Sequence, residues 1–467
     1  MTAMSDINGI LNIGRTSLMT HKKAIEVTSN NIANVNTPGY SRQRVHFSST
    51  GTLSPQSGFY AGSGVTIGGI DRVHDRYLDV QISNENDQLG RWEARQNAMQ
   101  RVEILFNELS GTGLNDAMSQ FWNAWQDLAN NPSGSSERSL LTNKAESLAI
   151  TFNNLKKDLN QIRNDTASKI ESELGRINQI SRQIAGLNEK IVNGEAVGDP
   201  VHELQDERDL LISDLSEMID INSFENANGS LNVSLKSGLS LVNNLRSYEL
   251  GTQPNAVPGG TDDVVWLDAG GNGTVITDRI MGGKLKGLIE VRDEVIPGYL
   301  GQLDDLAGEM ISSVNGIHAS GYGLDGSQND FFTGTSAGDI ALNEVVAGDP
   351  DKIAAAGPTD GLPGGNGNAI AMAELQHNLT MNGNRNTFSE FYNALVGDVG
   401  RAVEDADTQV EHQSTMLQHL GSYRESVSGV SLDEEMINLM NYQSAYEAAA
   451  KLIQTADELL QTVIDMF

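Results

Sequence analysis

Eight histidines, the usual carriers of metal and acid–base chemistry, are scattered along the chain at His21, His46, His74, His202, His318, His377, His412 and His419. Only His412 and His419 fall two turns apart, where one helix face carries both, and no third ligand stands at metal-site spacing. They read as solvated or packed side chains. Asp325-Gly326-Ser327-Gln328-Asn329-Asp330 has the oxygen donors of a calcium loop, but its glycine is misplaced and the closing glutamate is missing, so it reads as a turn. Gly364-Gly365-Asn366-Gly367-Asn368 precedes a helical stretch without the lysine or the leading strand of a phosphate loop. Cysteine is absent, which excludes thiolate nucleophiles, disulfides and Cys-based metal sites. No G-x-S-x-G, H-E-x-x-H or kinase set occurs. No catalytic, metal or cofactor-binding residue is therefore assigned, and the chemistry of this chain is sought in its surfaces.

Those surfaces are set by the two chain ends. Ile7, Leu11, Gly14, Leu18, Ile25 and Ile32 recur at steps of four and three, with His21 and Thr28 in the remaining places. At the other end Leu432, Met436, Leu439, Gln443, Tyr446, Ala450, Ile453, Leu460, Ile464 and Phe467 keep the same rhythm. A second stripe of Met440, Ala449, Leu452, Ala456, Leu459 and Val463 widens that apolar face. Such spacing is a coiled-coil seam, and the wider face predicts packing against more than one helix. The ends pack on each other or on neighbouring subunits.

Charge points the same way. Residues 1–50 carry Arg15, Lys22, Lys23, Arg42 and Arg44 against Asp6 and Glu26, a net of +3. Residues 430–467 carry seven acids against Lys451, a net of −6. Opposite signs favour pairing of N- with C-terminal helix over self-pairing of either. The whole chain, with 62 acidic and 31 basic residues in 467, has a net charge of −31. It is a poor nucleic-acid binder and is repelled by anionic lipid. The sequence shows no signal-peptide pattern and no apolar run long enough to span a membrane, so a chain of this kind leaves a cell, if it does, by a route without a Sec-type signal.

Between the ends, helical and strand-like periods alternate in blocks. Asn36-Thr37-Pro38-Gly39 stops the first helix. Residues 45–70 are extended, with Gly64-Val65-Thr66-Ile67 alternating. Trp92, Met99, Val102, Phe106 and Leu109 mark a helix ended by Gly111-Thr112-Gly113, and Phe121, Trp122 and Trp125 mark another near 114–130. After the Asn130–Gly134 turn, where Ser135 or Ser136 is a candidate cap, apolar residues from Leu141 to Ile191 keep helical period over about 50 residues, a rod on the order of 75 Å. A further helix carries Leu204, Leu211, Leu215 and Met218. From about 220 the period falls to two in Ser230–Leu235, Leu239–Val242, Val264–Leu267 and Thr274–Thr277. Helices resume near 284–316 and from about 369 to the end, with breaks expected at Gly421 and Ser428-Gly429. The expected fold is α+β, mainly α and elongated: coiled-coil-like helices from both termini, a long helical stalk and an inserted β-rich outer module. The expected parts are a terminal helical domain (1–50 with 428–467), a helical rod (51–220, 283–320 and 369–427) and the β-rich module (221–282 with 321–368).

Asn31-Ile32-Ala33-Asn34-Val35-Asn36-Thr37-Pro38-Gly39-Tyr40 is similar to the N-terminal signature of bacterial flagellar rod, hook and hook-associated proteins. The continuation Ser41-Arg42-Gln43, the segments Ile70-Asp71-Arg72 and Asp75-Arg76-Tyr77-Leu78, and the stretch Leu204–Leu211 resemble the junction type of hook-associated protein. So do Gly287–Asp293, Val314–His318, Ser428–Glu435 and Tyr442–Lys451. Larger members carry additional outer-domain material, whereas the strand-like residues here suffice for one modest module.

The resemblance implies a structural subunit forming the first ring between hook and filament, and no enzyme. It implies export through the flagellar type III apparatus without a cleaved signal, and an extracellular place on the flagellum. The implied partners are other copies of the chain, the hook protein, the second hook–filament junction protein and a cytoplasmic export chaperone on the C-terminal segment. It also implies ends that are disordered in the free chain and order on assembly. The assembly residues are then Ile7, Leu11, Leu18, Ile25 and Ile32 on one seam, with Asn34, Thr37, Pro38 and Gly39 setting the turn out of it. On the other seam they are Leu432, Met436, Leu439, Tyr446, Ile453, Leu460, Ile464 and Phe467. A distal rod or hook subunit is the alternative, and a secreted enzyme with flagellar-type ends a more distant one.

Overall fold

The computed structural model describes residues 2–50, 64–106, 113–255 and 260–465. Leu109, Gly111, Thr112 and Phe467, used above, lie outside them.

Helix α1 (Thr2–Ala33) ends at a turn in which Thr37 N–H donates to Asn34 O at 2.9 Å and Gly39 adopts a φ of 78°. Strands β1 (Gln43–Ser49) and β2 (Val65–Arg72) form an antiparallel ribbon with a bulge between His46 and Phe47. Helix α2 (Arg76–Leu105) is capped by the Asp75 carboxylate, which accepts from Tyr77 and Leu78 N–H. Helices α3 (Leu114–Asn130), α4 (Ser135–Val197) and α5 (His202–Met218) follow. The 63 residues of α4 form one rod of roughly 95 Å. Neither Ser135 nor Ser136 caps it. Gly134 holds the cap position without a side-chain bond, and the buried Arg138 guanidinium ties this end down instead, donating to Pro132 O at 3.0 Å and Ile353 O at 2.8 Å.

Two antiparallel sheets follow. One orders β3 (Ile221–Glu225), β4 (Leu231–Leu235), β5 (Ser240–Asn243) and β6 (Arg246–Ser247) consecutively. The other orders β7 (Glu249–Gln253), β8 (Asp263–Leu267) and β9 (Gly273–Val275). The alternation of β4 is realised as Leu231, Val233 and Leu235 buried with Asn232 and Ser234 outward. Helix α6 (Gly283–Glu290) passes through a π-turn at Val291–Val295 into α7 (Ile296–His318). A two-residue pair, β10 (Phe332–Thr333) and β11 (Ala341–Leu342), and the short helices α8 (Glu344–Gly348) and α9 (Gly367–Glu374) precede α10 (Phe388–Ser428) and α11 (Leu432–Asp465). Gly421 does not break α10: one glycine costs only about 1 kcal/mol in a helix, and 41 residues opened by a Thr387–Glu390 capping box absorb it. The chain breaks at Gly429 instead. The fold is α+β and mainly α, as the periodicities require.

Apolar side chains gather in two cores. One joins α3, the N-terminal halves of α4 and α10, the C-terminal end of α2, and α7, around Phe121, Trp122, Trp125, Phe152 and Phe388. The other joins the C-terminal half of α4 to α6 and both sheets, around Ile177, Ile184, Val233, Leu241 and Val264. Residues 321–368 differ from the expectation that grouped them with 221–282. Phe331, Phe332, Ile340, Val346 and Ile353 bury in the helical core, and only β10–β11 and a Tyr322–Ala356 bridge are strand-like. Their apolar residues are held by α7, whose Asn315 amide donates to Phe332 O and accepts from Phe331 and Phe332 N–H. Helices α2 and α4 serve both cores. So does the α6–α7 run, and its π-turn falls where the buried face passes from Ile289 in one core to Val291 and Ile296 in the other.

His318 closes α7 inside the first core. Its Nδ1 donates to Asn329 O at 2.5 Å and its Nε2 accepts from Ala354 N–H at 3.0 Å, which fixes the neutral tautomer. Burial pushes its pKa down to about 4 from 6.5. The unfolded chain therefore binds the extra proton first, and stability falls as pH drops from 6.5 towards 4, by on the order of 3 kcal/mol from this group. Urea melts between these pH values should show that slope, and His318→Gln should flatten it. An unchanged slope in the variant would contradict the assignment.

Candidate assembly interface at the paired chain ends

α1 lies along α11, the most extensive contact between two helices among the described residues. Two small residues, Ala449 and Ala456, form the buried line of α11. Gly14 of α1 meets α11 between them: a β-carbon there would lie 2.6 Å from Ile453 Cγ1. The absence of a side chain lets the helix axes approach. On the other side of α1 the β1–β2 ribbon packs, with Thr20 Oγ1 donating to Val65 O at 3.1 Å. His21, Phe47 and Tyr442 join all three elements, with ring centroids 5.7–6.3 Å apart. Burial lowers the His21 pKa, and its Nδ1 has no partner among the described residues, so the ring sits there neutral.

The pair is locked at the end of α1 by Asn31, which is buried and uses its whole hydrogen-bonding capacity. Its Oδ1 accepts from Tyr40 OH at 2.9 Å and Gln43 N–H at 3.0 Å, and its Nδ2 donates to Gln43 O at 2.9 Å and Glu435 Oε2 at 3.1 Å. Glu435 is buried too, and its other oxygen faces Arg42 Nε at 3.7 Å. Arg42 also pairs with Glu434 at 2.6 Å, and its N–H donates to Ser428 O at 3.0 Å. One asparagine thus connects α1, the ribbon and the start of α11. Burial, with Asp206, Glu203 and Glu435 nearby, raises the Tyr40 hydroxyl pKa, so Tyr40 remains a donor.

α5 grips the same node from outside. Asp206 accepts Ser41 N–H at 3.1 Å and Arg72 Nη1 at 2.6 Å, and Asp209, one turn on, accepts Arg72 at 2.8 Å. Leu210 lies under the turn, where a β-carbon on Gly39 would fall 2.5 Å from Leu210 Cγ. A side chain at Gly39 is excluded by this contact and by its positive φ. Asn34 holds the turn by donating to Asn30 O at 3.0 Å and accepting from Thr37 Oγ1 at 3.1 Å.

The seam residues read from sequence are placed unevenly. Ile7 is buried, and Leu11, Leu18, Ile25 and Ile32 are half-buried. The buried line of α1 runs instead through Thr20, Ala24, Val27, Thr28 and Asn31, beside the ribbon, while Gly14 is buried against α11. Asn34 and Gly39 are half-buried; Thr37 and Pro38 are exposed. On α11, Leu439, Ile453 and Leu460 are half-buried beside α1, whereas Leu432, Met436, Tyr446 and Ile464 are exposed, Met436 by 55% and Ile464 by 60%. Asn31, Gln43, Arg72, Asp206 and Glu435 were not singled out. Each lies inside a family-like segment quoted above, but their partners are distant in sequence, so no role was given to them. His412 and His419 flank one shallow, exposed depression on α10. No cluster of three or more His, Asp or Glu among the described residues is placed to hold a metal, and no described helix is long and apolar enough to cross a membrane.

Residues 11–40 match the family described as flagella basal body rod protein, and residues 424–466 the flagellar basal body rod FlgEFG protein C-terminal family. The two paired ends are thus those of a flagellar structural protein. Residues 99–332 match the flagellar hook-associated protein FlgK helical domain. Flagellar hook-associated protein 1 of Bacillus subtilis (strain 168) is 30% identical, over 97% of this chain and 97% of that protein. That of Escherichia coli (strain K12) is 24% identical, over 98% of this chain and all of that protein; the alignment spans 549 positions, so that relative has insertions that this chain lacks. The flagellar hook junction protein FlgK from Burkholderia pseudomallei shares the fold at a TM-score of 0.67 and 16% identity, over 74% of this chain and 100% of the solved one. The chain belongs to the flagellar hook-associated protein 1 family, structural proteins of the hook–filament junction.

Asn31→Asp tests the lock. It keeps the size but turns the donating amide into a carboxylate facing Glu435 and Gln43 O. The terminal region should lose about 2–4 kcal/mol. Hydrogen exchange at Arg42, Gln43 and the first turns of α11 should accelerate, while amides around Trp122 stay protected. Unchanged exchange at Gln43 would refute the role given to Asn31.

Proposed function

We propose that this chain builds the first ring between hook and filament and adapts one lattice to the other. Its neighbours are the hook protein below and the second junction protein above, and it carries out no catalysis. The observation that supports this best is that the two ends form one helical pair, yet α11 keeps a flank of exposed apolar residues that α1 does not cover. An uncovered flank of this kind is suited to neighbouring subunits. In the free chain the narrow α1–α11 seam is marginal, and the ordering cost of two long helices is offset once neighbours cover the flank. Before that, a cytoplasmic export chaperone covers the C-terminal flank, and the chain leaves through the flagellar type III apparatus without a cleaved signal. Residues 1–50 and 428–467 act as the inner part. The helical core, into which 321–368 packs, is the rod, and the sheets of 221–282 are the outer module. The match over 99–332 favours a junction subunit over a rod or hook subunit.

A clean deletion of the gene should give hooks without filaments, with flagellin shed into the medium. Missing hooks would point to a rod or hook subunit, and normal filaments would contradict the proposal. Ile453→Asp places a carboxylate against Gly14 in the seam, at a cost of several kcal/mol. It should abolish filament assembly in the deletion strain; wild-type filament numbers would rule out this seam.

A further inference from the structure

Two buried carboxylates stand where the β3–β6 sheet joins α2, and neither is fully partnered. Asp87 of α2 is 2% exposed, and Asp220, which links α5 to β3, is 0% exposed. Lys236, in the turn after β4, touches both. Its Nζ donates to Asp87 Oδ2 at 2.7 Å, and its backbone N–H donates to Asp220 O at 3.4 Å. Asp220 Oδ1 accepts from Met281 N–H at 3.2 Å, and Asp87 Oδ1 lies against the next residue, Gly282. Asp87 Oδ1 and Asp220 Oδ2 have no partner among the described residues. A buried acceptor left in this way is destabilising. Two carboxylates also face one ammonium, which leaves one buried negative charge in excess if both are ionised.

The packing selects what satisfies them. β-Carbons on Gly90, Gly282 and Gly283 would run into Glu217 O, the Asp87 carboxylate and the Ile219 backbone, so bare glycines bring α2, the end of α5 and the start of α6 together. Only two carboxylates converge, and the lysine already supplies a cation, so the smallest ligand, a proton, fits better than a metal ion. We propose that Asp220 carries a proton that it shares with Asp87, and that this proton clasps the sheet to α2. When the proton leaves to solvent, two buried carboxylates repel across the joint and the joint loosens. Burial pushes the Asp220 pKa up to about 6 from 3.8; the Met281 N–H opposes the rise, Asp87 adds to it and Lys236 opposes it. Among the other charged groups at the joint, Lys284 of α6 pairs with Glu173 of α4 at 2.8 Å, and Glu217 of α5 lies beside Glu93 and Lys284. Asp278 and Arg279, just before Met281, are exposed. In an opened joint the Asp220 carboxyl returns towards 3.8, so the closed joint holds the extra proton between 3.8 and about 6. The clasp is therefore fully made below 3.8 and is lost as pH rises through about 6.

Hydrogen exchange on the full-length chain tests this, with rates corrected for the intrinsic pH dependence of exchange. The Lys236 and Met281 amides, both bonded to Asp220, report on the joint. Their protection should fall by about tenfold between pH 5 and pH 7, while amides around Trp122 in the other core do not loosen. His318 acts in the opposite sense in that other core, so amides of each core, and comparison of each variant with wild type, keep the two groups apart. Asp220→Asn places a permanent donor beside Asp87. It should raise protection at pH 7 to at least the wild-type level at pH 5 and remove the pH dependence. Two further variants should move the midpoint in opposite directions: Asp87→Asn to lower pH, and Lys236→Met to higher pH. A pair with a merely structural role would weaken the joint at every pH and leave the midpoint in place. Protection at Lys236 and Met281 that is independent of pH in the wild-type chain, which needs no variant to fold, would overturn the proposal. So would equal slopes in wild type and Asp220→Asn, or midpoints that shift the same way in the other two variants.

Discussion

The structure depends on one constraint: the first and last helices, about 400 residues apart in the sequence, must meet. Asn31 and Glu435 are 404 positions apart and share a buried hydrogen bond. Neither tolerates being left alone, because a buried amide and a buried carboxylate each lose more by desolvation than one contact returns. Tyr40, Gln43 and Arg42 complete the set, so the node forms as a whole or not at all. Such a node opens as a unit rather than bond by bond.

The body of the molecule supplies the fixed geometry the node needs. α4, α2 and the α6–α7 run pass through both cores, so sheets and helical core share continuous helices rather than a linker. α5 sits beside this frame, and through Asp206 and Asp209 it holds the ribbon and turn from which α1 and α11 project. Movement of the pair relative to the body must break the Arg72 bridges. The orientation of the ends is thereby tied to the body.

Much of this was legible in the sequence, for identifiable reasons. The helices α1 and α11, the α4 rod and the alternation of β4 follow local periodicities and need no tertiary information. The turn at Asn36–Gly39 and the break at Gly429 follow from proline and glycine chemistry. What escaped was set by distant partners. The buried face of α1 is rotated towards the ribbon, so Asn31 rather than Ile32 is buried there. Residues 321–368 are rich in glycine and aspartate and read as possible strands, yet Phe331, Phe332 and Ile353 are drawn into an aromatic helical core. Gly421 reads as a break only if its helix has no other support. Arg138, which ties down α4 through backbone carbonyls, gives no sequence signal because carbonyls have no residue type.

The account stands on the claim that the exposed side of α11 is covered in the flagellum and free before it. The chain has no cysteine, so a single introduced thiol reports on one place only. Met440→Cys lies on that side, and Phe224→Cys, on an exposed sheet position, serves as the control. With a maleimide probe, both should be labelled in the purified chain, and only the Phe224→Cys thiol in intact hook–filament complexes. Equal labelling of the Met440→Cys thiol in the free chain and in the complexes would contradict the account.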